Sequence, residues 1–117
     1  MWNIPTREQL ARLPGLYETD HIDCKDKIIH LHFFMGSFDW WLAEFDGEDT
    51  FFGFACLGDP DMAEWGFIPF HELKELKMDV PLRSMKPDEE IGKIPLEVDC
   101  DKFWTPKKFS EVWPRKF

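Results

Sequence analysis

The sequence predicts an α+β fold: one domain over residues 1–117, with an antiparallel sheet of four to five strands and two or three short helices. Three observations predict it. Apolar and aromatic runs with a period of two cluster between residues 28 and 69, with turn residues between them. Helical signals sit before and after that block. The strands follow one another through short connections, without the strand–helix–strand alternation of a parallel sheet. Neither GxGxxG nor GxxxxGK[ST] occurs, which disfavours dinucleotide and P-loop folds.

The elements follow in order. In "IPTREQLARLPG", Thr6 is an N-cap and Gln9 completes a capping box. Leu10 and Leu13 form one apolar stripe, and Pro14 and Gly15 end the helix. "YETDHIDCKDK" reads as an acidic polar loop. "KIIHLHFFMGS" reads as one strand, with Ile29, Leu31, Phe33 and Met35 on one face and Ile28, His30, His32 and Phe34 on the other.

"FDWWLAEF" and "TFFGFACL" read as a hairpin about "DGED". A two-residue Gly47-Glu48 turn of type II′ sets Phe45 against Thr50, Ala43 against Phe52 and Trp41 against Phe54. One face then carries Asp39, Trp41, Ala43, Phe45, Thr50, Phe52, Phe54 and Cys56. The other carries Trp40, Leu42, Glu44, Phe51, Ala55 and Leu57. "GDPDM" is a turn and "AEWGFIPF" a fourth strand, ended by Pro69, which starts the helix "FHELKELK". Residues 78–95 hold three prolines and no clean period, and read as a long loop excursion. "PLEVDCDKFW" supplies a last strand, and "TPKKFSEVW" a helical turn capped by Thr105 with Pro106 first inside it.

Composition narrows the function classes. The chain is 44% hydrophobic with 12 Phe and 6 Trp, too apolar for a disordered segment. It has no apolar run of membrane-spanning length and no signal or transit sequence, so a cytoplasmic protein without a membrane partner is expected. Cys24, Cys56 and Cys100 are odd in number and widely spaced, which argues for reduced thiols and against a disulfide framework or zinc site.

Charge is more informative. The net charge of −9 combines +4 over a basic tail, residues 102–117, with −13 over residues 1–101. Ile28 to Leu73 holds nine acids and no Lys or Arg. Phosphates would meet that surface unfavourably, so direct nucleic-acid binding is disfavoured even though the aromatics could stack bases. A partner with a basic surface fits better. The tail reads as charge-balancing against the acidic body.

Candidate chemistry is sparse. His30 and His32, with Asp39 or Glu44 on the next strand, could ligate a metal, although HxH with a carboxylate is not specific. The plainer account is two hydrogen-bonded histidines, and no cofactor is expected. His21 and His71 read as remote and exposed. Asp46 and Asp49 flank a turn, where Asp serves the local backbone. Glu44 differs: it falls among Trp40, Leu42 and Phe51, where a carboxylate either holds its proton or takes a Lys or Arg partner. Ser37, Ser84 and Ser110 lie in no nucleophile motif, and Cys24 follows an acidic stretch that disfavours a thiolate.

The words "MWNIPTREQLARLPGLYET", "KDKIIHLHFF", "DWWLAEFDGED", "FFGFACL", "MAEWGFI" and "EVDCDKFWTPKKFSEV" resemble the bacterial family of unknown function DUF2958. The likeness runs over most of the chain and is clearest at residues 1–19 and 39–68. It implies a bacterial, cytoplasmic setting on phages, plasmids or integrative elements. It brings no activity and no catalytic residues. The leading expectation is therefore a non-catalytic binding protein, of the kind that inhibits a host nuclease or CRISPR effector by occupying its cationic groove. Its binding residues would be Asp39, Glu44, Asp46, Glu48, Asp49, Asp59, Asp61 and Glu64, with Trp40 or Trp41 as anchor. A metal-dependent enzyme using His30 and His32, or a homodimer packed through a partly covered aromatic sheet, are the alternatives.

Overall fold

Capping and turn chemistry place the elements much as the local sequence dictates. The computed structural model describes residues 1–83 and 90–113. Helix α1 (Arg7–Ala11) begins at Thr6, whose hydroxyl accepts from the Gln9 N–H while the Gln9 side chain accepts from the Thr6 N–H. After a 3₁₀ turn at Cys24–Asp26 come β1 (Ile28–Ile29), β2 (Leu31–Met35), β3 (Phe38–Phe45), β4 (Thr50–Leu57) and β5 (Glu64–Pro69). Helix α2 (Phe70–Glu75), β6 (Lys77–Arg83), β7 (Glu90–Glu97), β8 (Asp99–Cys100) and β9 (Lys107–Lys108) complete the described chain, ending in a 3₁₀ turn at Phe109–Glu111. The main sheet is antiparallel with five strands in the order β5-β4-β3-β2-β8. The domain is broadly α+β, dominated by its sheet, with two short α-helices.

Both faces of the sheet are covered at its centre. On the first, Leu31, Phe33, Trp40, Leu42, Phe45 and Phe51 pack under Leu13 beside α1 and under Phe70 and Leu73 of α2. On the second, Trp41, Ala43, Phe54 and Cys56 pack under Ile29 and under Phe109 of the C-terminal segment. The partly covered aromatic face expected from the sequence is thus closed over Trp41 and Phe54. Residues 102–113 are held there less by charge than by apolar packing of Phe109, Val112 and Trp113, and by the Trp104 Nε1–H donating to the Ile29 carbonyl at 2.9 Å. Tail residues 114–117 lie outside the described residues. The final turn starts at Lys108 rather than at Thr105, because Lys107 and Lys108 pair as β9 with β1.

Three further expectations change. The single strand over residues 28–35 breaks at His30, whose N–H donates to the Leu42 carbonyl. Ile29 therefore joins the second core while Leu31 joins the first. The β3–β4 hairpin keeps Trp41 opposite Phe54, but a bulge between Leu42 and Glu44 shifts the register, so that Phe45 faces Phe51 and Glu44 faces Phe52. The turn is longer than two residues: the Asp46 N–H donates to the Thr50 carbonyl, and Gly47 takes φ +87°. The bulge sends Phe45 into the first core with Phe51 and moves Glu44 away from Trp40 and Leu42.

Residues 78–95 are also not a bare loop. Strands β6 and β7 form a two-stranded antiparallel ribbon running from Lys77 opposite Glu97 to Arg83 opposite Glu90. Pro81 and Pro95 fit, because each strand of a two-stranded ribbon has an outer edge where a missing N–H costs no ladder bond. Residues 84–89, including Ser84, lie outside the described residues. The strand expected over "PLEVDCDKFW" is divided between β7 and β8 at the buried Val98.

Candidate functional site

Three sets of described titratable groups bear on a site. The first is built around Glu44, which is 2% exposed. Its Oε1 accepts from the Tyr17 N–H at 3.0 Å, and its Oε2 accepts from the Thr19 N–H at 3.2 Å and from the Thr19 hydroxyl. Lys27, also buried, donates to the Thr19 carbonyl at 2.5 Å and to Thr19 Oγ1 at 2.7 Å, and lies 3.9 Å from Glu44 Oε2. Thr19 Oγ1 thus relays between ammonium and carboxylate. A buried carboxylate needs such partners, because isolating its charge would cost several kcal/mol, about the size of a whole domain's stability. This network straps the Tyr17–Lys27 segment to the sheet. It also holds Tyr17 at φ 69°, a backbone conformation uncommon outside glycine and asparagine.

The second set centres on His32. Its Nε2 lies 2.8 Å from Asp39 Oδ1 and its Nδ1 lies 3.1 Å from Asp101 Oδ2. The ring is stacked on Trp41, 5.5 Å between centroids at 10°, and tilted against Trp104. Both ring nitrogens are thus engaged by carboxylates within the fold. His30 does not join it: its Nδ1 is buried without a hydrogen-bond partner, and burial lowers its pKa. Among the described residues, no three His, Cys, Asp or Glu side chains come together as a metal site, so the predicted His30, His32 and carboxylate set is not assembled.

The third set is the exposed acids, several of which serve the backbone. Asp46 Oδ1 accepts from the N–H groups of Glu48, Asp49 and Thr50, which lowers its pKa. Asp49 accepts from the His71 N–H at 2.8 Å and pairs with the His71 ring, tying the hairpin turn to the start of α2. Asp59 caps the 3₁₀ turn at Pro60–Met62 by accepting from the Asp61 N–H at 3.0 Å. Glu48, Asp61 and Glu64 are exposed.

The predicted binding residues therefore separate. Asp39, Trp40, Trp41 and Glu44 are buried and offer no surface to a partner, which removes Trp40 and Trp41 as anchors. Asp46, Glu48 and Asp49 lie before β4, and Asp59, Asp61 and Glu64 beyond its far end, so the eight-residue strand holds them apart by about 26 Å at roughly 3.3 Å per residue. Sequence reasoning missed Lys27, whose only signal was its position as the last cation before the 28–73 block. It also missed Asp101, which follows the final strand. Cys56 and Cys100 are buried, and burial followed by Asp99 and Asp101 pushes the Cys100 thiol up to about 12, so it is inert.

Comparison with known proteins finds no matching family model, curated protein or solved structure. No helix among the described residues is long and apolar enough to cross a membrane.

Proposed function

We propose that this chain is a non-catalytic binding protein of a bacterial mobile element, related to DUF2958, that docks on a protein with a basic surface. One observation carries the reading. Residues 57–67 present the exposed apolar side chains Leu57, Met62 and Phe67 interleaved with the exposed acids Asp59, Asp61 and Glu64. Exposed apolar side chains set beside acids of one sign combine affinity with electrostatic choice of partner. The engaged carboxylates support it from the other side, because the buried Glu44 and Asp39 and the half-buried Asp101 are bonded within the fold.

A nuclease or CRISPR effector, whose groove is lined to hold phosphate, is the partner class such a surface suits. The test is capture from host lysate by the wild-type chain and by an Asp59→Lys, Asp61→Lys, Glu64→Lys variant, over a salt series. The reading expects a basic protein retained at low salt by the wild type alone. The outer edge of β5, unpaired among the described residues, favours a second reading, self-association edge to edge. Sedimentation showing monomer at every concentration would exclude it.

A further inference from the structure

The strap held by Glu44 ends in a small pocket that the core does not need. It is lined by Tyr17, Asp20, Glu44, Phe52 and Phe67 and encloses about 50 Å³. Tyr17 and Phe67 are 65% and 54% exposed, yet their rings stand against each other at 6.1 Å and 60°, and Phe67 stands against Phe52 at 5.4 Å and 58°. The three rings thus form tilted walls rather than a closed stack. Tyr17 is held in its strained left-handed conformation by Glu44, and the exposed ring returns little burial for it. Strain spent on an exposed aromatic points to recognition.

The chemistry of the walls fixes the occupant. Aromatic faces are negative and attract cations, and Asp20 adds an exposed carboxylate. Lys27, 6.0 Å from the Phe52 ring, is buried, bonded to Thr19 and balanced by Glu44. The volume lies far below the roughly 300–1,000 Å³ of drug-sized ligand sites, so the pocket takes a side-chain head and excludes a nucleotide. We infer that Tyr17, Phe52, Phe67 and Asp20 form a subsite for an arginine side chain of the partner protein. Guanidinium is weakly hydrated, stacks on tilted rings and pairs with a carboxylate in two hydrogen bonds, where ammonium is a compact hydrated point charge. The inference rests on the binding reading only in taking its occupant from a protein.

The experiment is an NMR titration of the ¹⁵N-labelled full chain with the blocked peptide Gly-Arg-Gly, and with Gly-citrulline-Gly as the neutral isostere. Shifts centred on the amides of Tyr17, Asp20, Phe52 and Phe67 are expected for the arginine peptide alone. Phe67→Ala should weaken binding about tenfold, the size of one partly desolvated cation–π contact. Tyr17→Ala should do the same, and Phe67→Ala suffices should Tyr17→Ala disturb the strap. Equal response to the citrulline peptide, shifts centred on Asp59–Glu64, or no shifts would overturn the subsite. Asp59→Lys, Asp61→Lys, Glu64→Lys should leave these shifts in place. Loss of lysate capture with the peptide shifts intact, or the reverse, therefore tells the two readings apart.

Discussion

Glu44 decides more of this structure than any other single residue. It takes two backbone N–H groups and a hydroxyl from the Tyr17–Thr19 strap, with the Lys27 ammonium behind them. Glu44→Ala should destabilise the chain by about 3 kcal/mol, because Lys27 would be left buried without its counter-charge. Urea denaturation measures this, and a loss below about 1 kcal/mol would mean that the network is not strained by removing its carboxylate. The Thr6–Gln9 capping box and the Asp46 turn were legible in the sequence because both are short-range devices with fixed spacing. The Glu44–Lys27 pair was not, since the two lie 17 residues apart and meet only through the bulge before Glu44. His32 was legible as a polar residue on an apolar face. Its second carboxylate, Asp101, arrives through pairing of β8 with β2, which no local pattern reports.

At the scale of elements, the β3–β4 bulge is where the expected and observed folds part. Alternation correctly assigns Trp41, Phe54 and Cys56 to one core and Trp40 and Leu42 to the other. It still holds at Ala43 and fails at Glu44 and Phe45, because the bulge shifts the end of β3 by one residue. Gly53, opposite Leu42, is what the bulge needs: a Cβ there would come within 2.3 Å of the Trp41 carbonyl oxygen. Gly53→Ala should therefore cost about 2 kcal/mol or more, read as a lower Tm. An unchanged Tm would mean that β3 and β4 approach less closely. The Asp49–His71 contact joins the same hairpin to α2. Its hydrogen bond raises the His71 pKa and lowers that of Asp49. The His71 contribution is complete below about pH 6.5 and lost as pH rises through its raised folded value. The Asp49 contribution is complete above about pH 3.9 and lost as pH falls through its lowered folded value. The pair is thus fully formed between about pH 4 and 6.5. Asp49→Asn should bring the His71 NMR titration midpoint down towards the ordinary value, and an unmoved midpoint would contradict the contact.

Across the whole molecule, the sheet separates two cores, and the acid-rich block from Ile28 to Leu73 contributes strands to both. Sequence alone identified the antiparallel class, the strand block and both helices, because each rests on periodicity, caps or proline. It left residues 78–95 as a loop, since among the described residues the ribbon there pairs only with itself and carries prolines that a central strand excludes. It overstated the aromatic surface, because Phe109 and Trp113 return from the far end of the chain to cover Trp41 and Phe54. What stays outside is an acidic and apolar margin beside β5, the surface proposed to bind a basic protein. The most direct measurement is salt-dependent capture by the wild type beside the Asp59→Lys, Asp61→Lys, Glu64→Lys variant. A basic protein held at low salt, released as salt rises and lost in the variant is the predicted result. Retention that ignores both salt and charge reversal, or a bait that holds no basic protein at any salt, would contradict it.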